Sequence, residues 1–223
     1  MRNKYHFFLL TVFLLMGLAS QGAVAKTKPA AKKGVMDLQA WDLKVDGTVN
    51  LDGEWEFYWD HLLSPDDFRQ GLGDLNPAYI SVPGYWDKFE VDGKPLGGIG
   101  VATFRLRLKN LEPGQLLSLD IPLMHTAYTL WCNGRIISQN GVVGRSPQDS
   151  IPQYLPKTPG FVSGESELEL VLQVSNFSHN NGGIWQTLKL GTNQTIGGIG
   201  QLRTAFDLFL LGAIFIMSIY HFG

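Results

Sequence analysis

The sequence has little cysteine and no metal-binding pattern. Cys132 is the one cysteine among 223 residues, so an internal disulfide is excluded, and its place in an alternating apolar stretch predicts a buried small side chain. The five histidines are scattered, and neither a CxxC nor an HExxH pattern occurs. We therefore expect no metal and no cofactor.

The chain also lacks an excess of basic charge and the common catalytic motifs. It has 18 Lys and Arg against 20 Asp and Glu, which argues against a nucleic-acid partner. Neither a phosphate-binding loop nor a nucleophile elbow occurs. Four carboxylates fall on the polar faces of alternating segments, where we expect them to be solvated: Glu54, Glu56, Glu167 and Glu169. We expect no enzymatic activity from this chain.

The first 40 residues predict export from the cytoplasm. Arg2 and Lys4 precede an apolar run, and Ala23-Val24-Ala25 follows it as a small-x-small site. This order predicts a signal peptide over residues 1–25. An uncleaved anchor helix is the alternative, although the apolar core is short for a span. Residues 26–40 are rich in Lys, Pro and Ala and predict a solvated linker.

The end of the sequence predicts attachment to a membrane. Residues 205–223 are almost entirely apolar, with one acidic residue, Asp207. A span needs roughly 20 residues, so we expect a fragment that stops inside its first transmembrane helix; a buried amphipathic helix is the alternative. Residues 193–204 are glycine-rich and predict a connector, either a flexible tether or a segment packed against the membrane domain.

The middle of the chain, residues 41–192, predicts an all-β domain. Apolar and polar residues alternate in four segments, around Trp55, Phe104, Leu119 and Leu170, as in antiparallel sheets with one wet face. Asn133-Gly134 is a strong hairpin signal. One short helix is expected, in which Ser64 would cap a segment that starts at Pro65. Short strands with regular turns predict a β-sandwich of the jelly-roll type.

Five motifs occur in a familiar order. They are VNLDGEWEFYW at 49–59, ISVPGYW at 80–86, GVATFRLRL at 100–108, WCNGR at 131–135 and LQVSNF at 172–177. This series resembles the galactose-binding-like jelly roll, as found in the sugar-binding domains of β-galactosidases and β-glucuronidases. Together with a signal peptide and a span, it resembles the sensory half of bacterial seven-transmembrane receptors with diverse intracellular signalling modules. The resemblance implies a periplasmic or extracellular domain that binds a carbohydrate or similar small ligand outside the inner membrane.

The candidate ligand-binding residues lie in the predicted loops and on one polar strand face. A small-ligand site needs aromatic faces and hydrogen-bonding groups. Tyr85 follows the Pro83-Gly84 turn, and the other candidates are Trp86, Arg105, His125, Asn176, His179, Asn181 and Trp185. Structural roles remain open for several of them: a tryptophan can seal a sandwich edge, and an asparagine can cap a turn.

Three roles follow for the chain. The first is the ligand-sensing module of a membrane receptor whose output domain lies beyond this sequence. The second is a membrane-tethered carbohydrate-binding accessory domain related to glycoside hydrolases, although the apolar C-terminal run argues against it. The third is an interaction domain that binds another envelope protein. Whether the domain forms a homodimer stays open.

Overall fold

The computed structural model of the protein describes residues 26–91 and 93–222. The predicted signal peptide lies outside these residues. The strands are β1 (Val35–Asp37), β2 (Val49–Asn50), β3 (Gly53–Trp59), β4 (Ala78–Val82), β5 (Glu90–Val91), β6 (Lys94–Pro95), β7 (Gly100–Lys109), β8 (Leu116–Asp120), β9 (Ala127–Cys132), β10 (Arg135–Asn140), β11 (Gly160–Val162), β12 (Leu168–Asn176) and β13 (Lys189–Thr192). The helices are α1 (Pro65–Gln70) and α2 (Asn193–Phe222), with a short 3-10 turn at Trp86–Lys88.

The strands form two principal sheets. The large sheet has the order β10-β9-β12-β7-β3-β4, and β1 joins it as a parallel neighbour of β7. The small sheet has the order β11-β8-β13-β2, and β5 and β6 form a separate hairpin. Apart from β1, the named strands pair antiparallel. The prediction of an all-β sandwich is confirmed.

The core lies between the inner faces of the two sheets. Phe57 and Phe104 come from the large sheet, and Leu117 and Leu119 come from the small sheet; all four side chains are buried. Side chains alternate between the two faces of a strand, so the period of two in the sequence places these residues inside. Each such side chain stabilises the fold by about 1.5 to 3 kcal/mol through burial.

Local sequence signals are confirmed at a turn, a helix and the cysteine. Asn133 and Gly134 connect β9 to β10 and both have positive φ, 46° and 80°, as a type I′ turn requires. Helix α1 starts at Pro65, and the Asp67 carboxylate accepts hydrogen bonds from the Ser64 backbone and hydroxyl. Cys132 is buried, and burial raises its pKa to about 12.

The prediction of a solvated linker over residues 26–40 is wrong from Ala31 onward. Strand β1 pairs with β7, and the side chains of Ala31, Met36 and Leu38 belong to the core. The backbone N–H of Ala31 also donates to the carbonyl of Asp52. The alternation over residues 34–38 is too short to stand out in the sequence against the basic, proline-containing residues before it. Because core contacts start at Ala31, the domain begins about ten residues earlier than predicted.

The predicted connector over residues 193–204 is also wrong as a separate segment, because it forms the first two fifths of α2. Its glycines favour a loop, each costing about 1 kcal/mol relative to alanine. Two contacts start the helix nevertheless: the Thr195 N–H donates to Thr192 Oγ1, and Ile196 is buried. Among the described residues, α2 is the one helix long and apolar enough to cross a membrane.

Candidate functional site

Two connections meet at one end of the sandwich and bring distant candidate residues together. His125 lies between β8 and β9, whereas His179 and Trp185 lie between β12 and β13. An isolated bridge between His125 and Gly183 joins the two connections. Strands β8 and β13 are antiparallel neighbours, so the chain leaving β8 and the chain entering β13 lie side by side.

Four rings form a stacked row in this place, which we call the aromatic cluster: Tyr85, Trp185, His125 and His179. The ring centroids are 6.2 Å apart for Tyr85 and Trp185, 5.2 Å for Trp185 and His125, and 3.8 Å for His125 and His179. The interplanar angles are between 9° and 28°. The His179 end of the row is exposed to solvent. The row therefore ends in an exposed histidine ring.

Tyr154 extends the aromatic cluster at its edge. Its ring lies 6.1 Å from that of His125 at 73°, an edge-to-face arrangement. Tyr154 was not predicted as a site residue, because it lies in the proline-containing segment at 150–159, which has neither strand alternation nor helical periodicity. The isolated pairings of Val142 with Ile151 and of Ile121 with Lys157 fix this segment in place.

Two ring nitrogens of the aromatic cluster are buried without a hydrogen-bond partner in the described chain: His125 Nδ1 and Trp185 Nε1. A buried polar atom without a partner costs about 1 to 3 kcal/mol. Burial lowers the pKa of His125 below 6.5, the charge of His179 lowers it further, and a backbone hydrogen bond with Asn181 acts in the opposite direction. The His125 imidazole is therefore neutral near pH 7, with one nitrogen able to accept.

Asn176 was predicted to bind a ligand, and this prediction is wrong because its side chain is fully buried. Its Nδ2 donates to the carbonyls of Gly98, His179 and Asn181 at 2.7, 2.8 and 3.2 Å, and its Oδ1 accepts from the His179 N–H at 3.0 Å. Asn176 thus shapes the loop that carries His179. For the Asn181 side chain, ligand contact stays a prediction.

Trp86 was also predicted to bind a ligand, and it lies in the core with an exposure of 0%. Its indole packs near Trp59 and Phe104 at centroid distances of 5.3 and 6.4 Å. Its Nε1 donates to the carbonyl of Gly98 at 3.1 Å. The 3-10 turn at Trp86–Lys88 turns this side chain inward, while the adjacent Tyr85 joins the aromatic cluster. The correct candidate in this motif is therefore Tyr85.

Arg105 belongs to an ion-pair network on the outer face of the large sheet, away from the aromatic cluster. It bonds the Glu169 carboxylate, and its Nη1 lies 3.3 Å from Glu56 Oε2. Burial acts to lower the pKa of Arg105, but hydrogen bonds and charges of Glu169 and Glu56 outweigh it and raise the pKa. Arg107 Nη2 also pairs with Glu56 at 3.1 Å. Arg105 thus has a structural role on this face, and its ligand contact stays a prediction.

The network corrects the expectation that Glu56 is solvated. Its side chain is buried, and it accepts a third hydrogen bond from the Tyr58 hydroxyl at 3.1 Å. The rings of Phe68 and Tyr58 cover this part of the sheet, with the Arg105 guanidinium 4.4 Å from the Phe68 centroid. Helix α1 therefore shields what the alternation alone presents as a wet face. In the described ranges, no group of three or more His, Cys, Asp or Glu is arranged to hold a metal ion.

Part of the chain is similar in structure to domains of known enzymes. Neither a protein-family profile nor a curated protein sequence matches the chain. A β-glucuronidase from an uncultured Clostridium sp. matches at 17% identity and a TM-score of 0.47, over 64% of this chain and 28% of the other. A GH2 β-galacturonidase from Eisenbergiella tayi bound to galacturonate matches at 15% identity and a TM-score of 0.44, over 64% and 24%. The chain thus spans about a quarter of the length of these enzymes.

Proposed function

We propose that the protein is a ligand-sensing module that stands outside a membrane and binds a small molecule at the aromatic cluster. The observation that carries this proposal is the convergence of His125, His179 and Trp185 from two separate connections into one stacked row. Two of these three rings have a buried nitrogen without a partner. Unpaired buried polar groups are uncommon in folded proteins and call for an explanation, and a bound ligand or ordered water supplies one.

The chemistry of the cluster fits a carbohydrate. A sugar ring offers an apolar face of C–H groups, which can lie against the exposed His179 ring, and hydroxyls that can both donate and accept. The Trp185 indole is a donor only, whereas neutral His125 provides an acceptor nitrogen. A ring that carries hydroxyls can therefore accept from the Trp185 indole and donate to His125. This requires a small side-chain movement that exposes the two buried nitrogens to the ligand.

Attachment to the membrane is the second part of the proposal. Helix α2 has the length and composition of a span, and the sequence pattern at residues 1–25 is typical of a secretory signal. In this proposal ligand binding biases the conformation of a receptor to which α2 belongs, which requires different affinities of the ligand for two states. A membrane-tethered carbohydrate-binding accessory domain would use the same site without passing on a signal.

The experiment is a ligand screen by thermal unfolding of the full chain in nanodiscs. A library of mono- and oligosaccharides is tested against the wild type, His179→Ala and Tyr79→Ala. Tyr79 is a matched control, because it is an exposed aromatic residue of the large sheet outside the cluster. A ligand at 100 times its Kd should stabilise the wild type by about 2.7 kcal/mol. We expect His179→Ala to reduce the shift and Tyr79→Ala to retain it. Equal shifts in all three proteins would place binding elsewhere, and no shift with any sugar would refute the carbohydrate proposal.

A further inference from the structure

The first turns of α2 pack on the outer face of the small sheet. Ser118 Oγ donates to Asn193 Oδ1 at 2.8 Å. Ile196 is buried against the position of Gly191, where an added Cβ would lie 3.2 Å from the Ile196 side chain. Ser118 and Gly191 alternate with core residues of β8 and β13, so they face away from the core. Helix α2 therefore begins on the outside of the sandwich.

The helix then runs toward the end of the sandwich that carries the aromatic cluster. Thr195 lies beside Lys44 and Glu112, in a cleft at the opposite end. Further along, Thr158 and the face of α2 that includes Gly200 and Thr204 line a cleft of about 530 Å³. The pairing register shows in which direction α2 runs along β8. Val162 pairs with Leu116 at the start of β8, whereas Lys157 pairs with Ile121 just after its end, so Thr158 marks the end of the sandwich toward which β8 runs. The chain of β8 continues beyond Ile121 to His125.

The distances bring the apolar part of α2 close to this end. At a rise of 1.5 Å per residue, Ala205 lies about 14 Å along the helix from Ile196. At about 3.3 Å per residue, the chain from Ser118 to His125 spans at most about 23 Å. The apolar part therefore begins before α2 has passed the end of the sandwich. A bilayer around that part must lie close to the surface formed by residues 121–127 and 150–158.

That surface, which we call the cluster-end surface, has the composition of a bilayer interface. Its exposed apolar and aromatic side chains are Leu123, Ile151, Tyr154 and Leu155. Its two segments are joined by a hydrogen bond from the Gln153 N–H to the Thr126 carbonyl at 3.2 Å. Tyrosine and leucine beside basic residues are typical of membrane–water interfaces, and exposed apolar patches mark interaction sites.

Charge distinguishes the cluster-end surface from the loops at the opposite end of the sandwich. The connection at the Tyr85 end of the aromatic cluster is itself charged, with Asp87, Lys88, Glu90 and Lys94, so the low charge is local to the cluster-end surface. Within residues 121–127 and 150–158, Lys157 is the only charged residue, and the adjoining loop adds one residue of each sign, Arg145 and Asp149. The opposite end is rich in charge, with Asp42, Lys44, Asp46, Glu112, Glu165 and Glu167 in its loops. A neutral to basic surface costs little to place against phospholipid headgroups, whereas the acidic opposite end suits water.

The geometry points to a lipid-docking role for the cluster-end surface: it rests on the phospholipid bilayer that α2 enters, with Leu155 and Tyr154 at the headgroup level. This inference rests on the membrane attachment contained in the proposed function. It places the aromatic cluster next to the bilayer, so a ligand would be bound near the base of the domain, close to where α2 enters the membrane.

The test measures the depth of a fluorescent label in the full chain. Leu155→Cys, Val45→Cys and Phe209→Cys are each labelled with an NBD fluorophore and placed in nanodiscs of phosphatidylcholine and phosphatidylglycerol. All three positions are exposed, at 46%, 80% and 69%, so the substitutions should preserve the fold. Native Cys132 is buried and has a raised pKa, so it should not react. Emission is compared with and without lipids that carry a nitroxide near the headgroup.

We expect about a twofold fall in emission at position 155 and little change at position 45, because an interfacial residue reaches about 5 to 10 Å into the headgroup boundary. Quenching of the label at position 209, which lies in α2, shows whether the helix enters the bilayer. Quenching at 209 but not at 155 would overturn lipid docking and leave the attachment standing, whereas no quenching at 209 would overturn both. A blue shift at 155 without quenching would mean that protein rather than lipid covers the surface, which also overturns the proposal.

Discussion

Replacing Asn176 with alanine should destabilise the fold more than its position near a loop would suggest. Its side chain makes four hydrogen bonds to backbone groups of three residues: three to carbonyls and one to an N–H. Each intramolecular hydrogen bond contributes about 1 kcal/mol, and a buried group left unpaired costs more. We therefore expect Asn176→Ala to lower the free energy of unfolding by about 3 to 4 kcal/mol, a large part of the 5 to 15 kcal/mol typical of a domain.

The assay is equilibrium unfolding in urea of the full chain in detergent, followed by tryptophan fluorescence, with stability from the midpoint and slope. Asn76→Ala is the matched control, because Asn76 is exposed and its side chain makes one local bond, to the Asp74 carbonyl; we expect a change within about 0.5 kcal/mol. Asn176→Asp conserves the shape and the acceptor but removes the donors, so it should also be strongly destabilising.

Two results would refute this reasoning about Asn176. If Asn176→Ala were no more destabilising than Asn76→Ala, the four hydrogen bonds would not hold the loop. If Asn176→Asp were as stable as the wild type, lost volume rather than lost donors would explain the alanine result.

Three further predictions concern backbone contact, charge and protonation. An added Cβ at Gly98 would lie 1.6 Å from the Asn180 carbonyl oxygen, whereas at Gly97 the nearest atom is 4.0 Å away; in a thermal melt Gly98→Ala should lower Tm strongly and Gly97→Ala should not. Glu56→Ala should lower the free energy of unfolding, measured in urea, by about 2 to 3 kcal/mol, because two partly buried arginines lose a charged partner. If Glu56→Ala were less destabilising than Glu56→Gln, the ion-pair network would be contradicted. The lowered pKa of His125 means that the unfolded state binds its proton more readily, so stability should fall as the pH is lowered below about 6.5 and stay level above. His125→Gln should flatten this part of the pH dependence, and an unchanged profile would assign it to another group.

The sequence predicted the sandwich well because burial on one face imposes a period of two. His125, His179 and Trp185 were predicted separately as loop residues that could bind a ligand, and their approach to one another was not predicted. Antiparallel pairing of β8 with β13 brings their loops to one end. Trp86 was misassigned because nothing in a Pro-Gly-Tyr-Trp motif shows which of two adjacent aromatic rings turns inward.

The burial of Glu56, the helical state of the start of α2 and the position of Tyr154 could not be predicted from local sequence patterns either. Glu56 follows the alternation of a wet face, but α1 covers that face, and a helix placed by tertiary packing leaves no mark on the strand itself. The first third of α2 contains three glycines, and its helical state follows from the packing of Ile196 and from the apolar helix that continues after it. Tyr154 reaches the aromatic cluster through isolated bridges, which have no periodic signature.

The most direct test of the central claim locates the ligand on the protein. Histidine ring signals are recorded by NMR on the full chain in nanodiscs, labelled selectively at histidine, with the sugar that gives the largest thermal shift. We expect the signals of His125 and His179 to move together and saturably. The signal of His61, which lies outside the cluster with its Nδ1 2.7 Å from the Trp59 carbonyl, should stay in place. Saturable shifts at His61 with none at His125 and His179 would contradict the assignment of the site.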